Sequence, residues 1–331
     1  MNPKLGLTYF CFISLLTTIL VSCQKEITVD LPAAEQKIVI EGTIEQGQPP
    51  IVLLTYSQGY FDPADLTSLE SYFVHDATVT LTNGEITETL IEVCSDDLTE
   101  EQKVLIAALL GIDPATLAYY NICGYTSFNT AIWGETGKTY TLKVSKDQHE
   151  LSSTTKINHL VELDSLWFKV PNDNTEDSLG FIFGILTDPD TTGNAYRWYA
   201  KRINSYPDYA PAELAGQQKD NSFIAPLGSV FDDSFFNGLS FEFAYYRGRT
   251  PNSIKFDDNN EEAGYFKRGD TVVVRGCVID LGAFRYIDSY ENQIGNQGSP
   301  FAVPFNLESN VQGGLGAFIG YGAVYDTVVC Q

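Results

Sequence analysis

Cysteine chemistry is the most specific that this chain offers, and it begins at Cys23. That residue follows Leu20-Val21-Ser22, at the end of an apolar run from Tyr9 to Val21 preceded by the positive charge of Lys4. The run is too short for a mature membrane-spanning helix. A basic start, a short apolar segment and small residues before a cysteine form the lipobox of bacterial lipoproteins. The thiol of Cys23 would be diacylated and the chain cut before it, so residues 1–22 leave as a signal peptide and residues 23–35 form a lipidated tether. Several buried acyl chains anchor a protein far better than a single reversible one. The alternative is an ordinary secretory signal with an incidental cysteine at its end. Gln24-Lys25-Glu26 resembles the short polar signal that sends lipoproteins to the outer face of an outer membrane, and a solvated tether gives the same letters.

Cys11 leaves with the signal, and Cys94, Cys123, Cys277 and Cys330 remain. An even number in an exported chain favours disulfides, and four cysteines allow three pairings. Cys94–Cys123 with Cys277–Cys330 is preferred, because each bridge then stays within one proposed domain. Buried free thiols are the alternative. No pair has the close spacing of a zinc site, so no metal and no cofactor are expected.

The remaining chemistry points away from catalysis. Histidine chemistry has only His75, His149 and His159 to draw on, with no zinc-protease motif around them. No Gly-x-Ser-x-Gly elbow or phosphate loop occurs. Gly314-Leu315-Gly316 with Gly320 lacks the register of a dinucleotide loop and reads as close strand packing. Asp257 to Glu262 offers calcium-type oxygens without EF-hand spacing, and reads as a solvated loop. Asp232-Asp233 has the residue types of a glycosidase pair, but a chain with 43 acidic residues contains such pairs without catalytic purpose. Arg268-Gly269-Asp270 spells an adhesion tripeptide in a place that reads as a turn before a strand. Asp164-Ser165-Leu166, Asp177-Ser178-Leu179, Asp270-Thr271-Val272 and Asp326-Thr327-Val328 resemble an O-glycosylation acceptor pattern, and turn aspartates feeding strands give the same pattern.

The elements that must position these residues are mainly strands. Loss of residues 1–22 leaves 309 of 331 residues and lowers the formal charge from −23 to −24, since Lys4 is the only charged side chain removed. Such acidity repels phosphate backbones and anionic lipid, which disfavours nucleic-acid binding. Nineteen Tyr and 20 Phe, together with Val, Ile and Thr, favour strands. Strands are predicted at 37–44, 51–56, 77–82, 85–93, 137–144 and 150–157, with Asn83-Gly84 turning a hairpin. They compose an immunoglobulin- or transthyretin-like sandwich over residues 36–158. Residues 98–120 interrupt it as a helical insert. Thr99 and Gln102 form a capping box there, and Asp113-Pro114 opens a second short helix. The insert either covers an open end of the sandwich or carries contacts. Residues 159–331 are predicted as a second antiparallel sandwich or open barrel, with strands at 165–170, 179–187, 196–203, 239–246, 271–281, 284–290 and 317–329.

Several stretches together resemble one family. Ser309-Asn310-Val311-Gln312-Gly313-Gly314-Leu315-Gly316-Ala317-Phe318-Ile319-Gly320 looks like its closing motif. Ile38-Val39-Ile40-Glu41-Gly42, Asp188-Pro189 before Asn194-Ala195-Tyr196, and Asp233-Ser234-Phe235-Phe236-Asn237-Gly238 fit the same family. This is the Bacteroidota lipoprotein family named domain-of-unknown-function four-two-four-nine, and the resemblance covers the mature chain. It implies an outer-membrane lipoprotein often encoded beside TonB-dependent receptors, with no catalytic or binding residues to carry over. The expected function is therefore a surface-exposed, non-catalytic accessory of such a transporter in nutrient capture or uptake. Trp133, Trp167, Trp198 and Tyr199 are the candidate ligand platform, since exposed aromatics commonly line binding surfaces. A structural or adhesive surface protein and a surface hydrolase are the alternatives.

Overall fold

The computed structural model describes residues 35–58, 70–110, 112, 114–171, 178–208, 212, 215–248, 264–295 and 307–331. Cys23, the tether up to residue 34, Asp177 and the acidic loop Asp257 to Glu262 lie outside the described residues. Gln36–Gln331 form one compact unit; Met1–Glu35 form a separate one, of which only Glu35 is described.

The chain is mainly β, as its composition predicts. It opens with β1 (Ile38–Glu45) and β2 (Ile51–Tyr56), whose alternating side chains place Ile38, Ile40, Ile44, Val52 and Leu54 on one buried face. The hairpin β3 (Thr78–Thr82) to β4 (Thr87–Thr89) turns through Asn83 and Gly84; the Asn83 side chain accepts two backbone N–H groups, and Gly84 takes φ of +89°. The single strand predicted over 85–93 is in fact two. Leu90 turns a buried corner, and β5 (Ile91–Cys94) leaves for another sheet.

The insert follows as α1 (Glu100–Leu110) and α2 (Pro114–Tyr119). Its capping box forms as the sequence predicts: Thr99 N–H donates to Gln102 Oε1 at 2.8 Å, and Gln102 N–H donates to Thr99 Oγ1 at 3.3 Å. Then come β6 (Cys123–Thr126), β7 (Thr139–Lys146), β8 (His149–Lys156), β9 (Leu163–Lys169), β10 (Leu179–Thr187), β11 (Ala195–Arg202), β12 (Val230–Asp232), β13 (Ser240–Tyr245), β14 (Phe266–Lys267) and β15 (Thr271–Ile279). A helix, α3 (Leu281–Gly295), precedes β16 (Val311–Gln312) and the long closing strand β17 (Leu315–Val329).

Residues 284–290, predicted as a strand, lie inside α3. Asp280 caps that helix, accepting Ala283 N–H on Oδ1 at 2.8 Å. Ala283, Ile287 and Glu291 recur every four residues on its buried side, so helical periodicity overrides the aromatic composition.

An eight-stranded sheet runs in the order β12-β11-β15-β17-β1-β2-β6-β5. One of its faces packs on a five-stranded sheet, β16-β8-β7-β3-β4, through a core containing Ile40, Val79, Tyr140 and Phe318. Farther along, the same face packs on β13-β10-β14, with β9 beside β10, through Trp198, Ile182 and Val274. This is an open sandwich rather than a closed barrel. The boundary expected at 158/159 is crossed: β17 pairs in parallel with β1, so four strands from each side of that point share one sheet. Close approach makes the join possible. A Cβ on Gly316, which has φ of +91°, would lie 2.0 Å from the Ile40 carbonyl oxygen.

Candidate functional site

The other face of the eight-stranded sheet carries the helices. Under α3 it is packed around Ala283 and Ile287, which meet Cys277, Ala317 and Ile319. Glu291 of α3 is buried and pairs with Arg197 of β11 while accepting Gly228 N–H at 2.7 Å. Under α1 and α2 the same face is hollow. A cavity of about 590 Å³ lies between the insert and strands β2, β5 and β6. Ile51, Leu53, Ile106, Leu117, Ile122 and Trp133 make its lining largely apolar.

Covalent and polar bonds hold this roof in place. Cys94 and Cys123 sit directly opposite each other on β5 and β6 and form a disulfide. Ser95 ties the two ends of the insert together, its hydroxyl donating to Tyr120 O at 2.9 Å and accepting Ile122 N–H at 3.0 Å. Leu105 and Phe128, 66% and 71% exposed, stand at the cavity lining and also face solvent.

Two smaller cavities adjoin the first. One of about 320 Å³ reaches toward α3 at Tyr286 and Tyr290. The other, of about 280 Å³, holds the charged and aromatic groups. Ile51 and Leu110 line all three, which makes them one cleft.

In the 280 Å³ cavity, Arg275 lies between two tyrosine rings, 4.7 Å from the centre of Tyr199 and 4.8 Å from that of Tyr321. The ring quadrupoles stabilise the cation there. Arg275 Nη2 donates to Glu45 Oε2 at 2.5 Å, and the Tyr325 hydroxyl donates to Glu45 Oε1 at 2.5 Å. Burial pushes the phenols of Tyr321 and Tyr325 up, so both keep their protons. Arg275 Nε is buried and has no hydrogen-bond partner among the described residues. This group can receive an apolar body on one side and a polar end on the other, with aromatic faces, one cation and one anion at that end.

The four aromatic candidates separate. Trp133 lines the large cavity, with its indole N–H donating to Ser127 O at 3.0 Å, and Tyr199 lines the small one. Trp198 neighbours Tyr199 on the strand and therefore points the other way, into the core, where it meets Phe243 edge-on at 5.6 Å. Trp167 stacks on Phe183 at 5.7 Å in the four-stranded sheet. Sequence reasoning missed Glu45, Arg275, Tyr321 and Tyr325. No local motif marks these four, which meet only because β1 and β15 both pair with β17.

The preferred pairing Cys277–Cys330 does not form; both thiols are free and buried. Cys277 lies opposite Ala323, whereas Cys330 N–H donates to Asp270 O. Seven residues of strand, roughly 23 Å, separate those levels, beyond the reach of a disulfide. Burial pushes both thiols up to about 12.

Other sequence candidates are occupied structurally. His75 Nδ1 lies 2.5 Å from Glu92 Oε1 beside the Cys94–Cys123 bridge, whose sulfurs are spent on each other and leave no ligand set for a metal. Asp233 accepts Gly193 and Asn194 N–H at 2.8 and 2.9 Å, while Asp232 accepts the Ser234 hydroxyl at 2.8 Å. Asp270 of the Arg-Gly-Asp triplet is buried against Lys219 at 2.5 Å, after the turn at Gly269. Thr327 is exposed on β17.

A family model described as Domain of unknown function (DUF4249) matches residues 24–325. The chain belongs to that family. The matched span includes the insert and every strand residue that lines the cleft, up to Tyr325. No curated protein matches the sequence.

Proposed function

We propose that this DUF4249 protein is an outer-membrane lipoprotein, anchored through Cys23 and facing the cell exterior. In this reading it is a non-catalytic accessory of a TonB-dependent transporter and holds a nutrient in the cleft before transfer. The observation that carries the reading is the cleft itself: about 590 Å³ of apolar space beneath the insert, continuous with an aromatic chamber around Arg275. Its volume and mixed lining are those of small-ligand sites. The lipobox supports the anchor, and the acidic Asp232-Asp233 pair is engaged in turn hydrogen bonds rather than aimed into the cleft.

Affinity purification of the tagged full chain from solubilised outer membranes tests the partner. A TonB-dependent receptor is expected in the eluate. Its absence, with the lipoprotein itself recovered intact, contradicts the accessory role. Replacing Cys23 with Ser should release the protein from the membrane fraction, and retention of that variant contradicts the anchor.

A further inference from the structure

We infer that the cleft takes an uncharged amphiphile, with an apolar body in the 590 Å³ cavity and a hydroxylated, sugar-like head in the chamber around Arg275. The inference rests on the binding-accessory reading and names the ligand class for the same cleft. The division of the site is its first support. The cavity beneath the insert is walled by side chains such as Leu53, Ile106, Leu117 and Trp133, whereas the adjoining 280 Å³ adds three tyrosines and the Arg275–Glu45 ion pair to an apolar rim that includes Ile51 and Leu110. Apolar surface gains most by leaving water in the first, and polar groups find partners only in the second.

Charge supports an uncharged head. Arg275 and Glu45 neutralise each other at 2.5 Å, so an ionic head meets no net opposite charge. The chain's formal charge of −23 repels an anionic one. A cationic head would sit beside the guanidinium and compete with it for Glu45. Hydrogen bonding supports hydroxyl or ether oxygens. Arg275, Glu45, Tyr199, Tyr321 and Tyr325 line the chamber, so a head group there meets hydrogen-bond donors and acceptors. The protonated tyrosine hydroxyls around it both donate and accept.

The test uses residues 24–331, which contain the whole compact unit. Calorimetric titration with decyl glucoside, below its micelle concentration, is expected to show binding. Decanoate and decyltrimethylammonium should bind at least tenfold more weakly, and glucose alone should give no heat. Ala108 is exposed on α1 and lines both cavities, so Ala108→Trp should weaken decyl glucoside at least tenfold. If that variant does not fold, Leu105→Gln, at another exposed lining position, should weaken it in the same direction. Absence of decyl glucoside binding, equal binding of an ionic amphiphile, or unchanged affinity in the folded variants overturns the inference. Co-purification of a transporter despite no amphiphile binding would overturn the ligand class alone and leave the accessory role standing.

Discussion

The two ends of one sheet face teach the most about this molecule. Under α3 and under the insert, the same eight-stranded sheet presents apolar side chains to covering helices, yet one end is packed and the other hollow. The packed end is closed by a 15-residue helix with an aspartate cap, a buried every-fourth-residue stripe and the Arg197–Glu291 pair. The hollow end is roofed by helices of 11 and six residues whose inward positions include Ala107 and Leu117. Short helices cannot bury enough surface to fix themselves, and here a disulfide and the Ser95 hydroxyl hold the roof instead. Covalent pinning lets a roof stay in place over empty apolar space that packing alone would tend to collapse.

The comparison can be broken first at the packed end. Glu291→Ala leaves the largely buried Arg197 without its partner and should cost about 3–5 kcal/mol, read as a large fall in denaturant midpoint. Loss of less than about 1 kcal/mol would mean that α3 is held by its apolar stripe alone.

Removing the Cys94–Cys123 bridge, by Ala at both positions, frees a loop closed over a sequence separation of 29. It should cost about 3–4 kcal/mol on the chain-entropy estimate. The sharper readout is regional: hydrogen exchange should rise across residues 95–122 while β15 and β17 stay protected. Uniform loss of protection would show that the roof and the packed end unfold together.

Thr99→Ala removes the cap of α1 and should cost about 1 kcal/mol, visible as a modest drop in thermal midpoint.

The smallest effect concerns Glu92, which lies beside the bridge. Burial raises its pKa, but the Asp76 N–H, His75 and the Tyr125 hydroxyl together hold it below the usual carboxylate value. A carboxylate with a depressed folded pKa contributes stability above its unfolded pKa and loses it as pH falls through the folded one. Glu92→Gln should therefore lower stability at neutral pH, and the difference from the parent should shrink on acidification through the carboxylate range. A difference independent of pH would assign the effect to packing.

Thiol titration checks the cysteine assignment. Residues 24–331 should show no reactive thiol when native and two after unfolding without reductant. Four would mean that the bridge is absent, and none that Cys277 and Cys330 are paired.

Local signals were legible in the sequence because their physics is local. The Thr99–Gln102 capping box, the Asn83-Gly84 turn and the Cys94–Cys123 bridge each depend on residues close together or on adjacent strands. The parallel pairing of β1 with β17 was not legible, since it joins residues nearly the whole chain apart, and the boundary expected at 158/159 failed with it. Residues 284–290 misled because Phe284, Tyr286 and Ile287 have strand-forming side chains, while the deciding feature was the cap at Asp280. For the cleft, Trp133 and Tyr199 could be named in advance as aromatics. Arg275, Glu45 and Tyr321 could not, because their meeting depends on which strands become neighbours.

Hydrogen exchange of residues 24–331 with and without decyl glucoside tests the cleft as the working site most directly. Slower exchange is expected within residues 98–110 and 122–126 and around Tyr321 to Tyr325. Protection confined to other segments, or none at ligand concentrations that saturate the calorimetric signal, would contradict it.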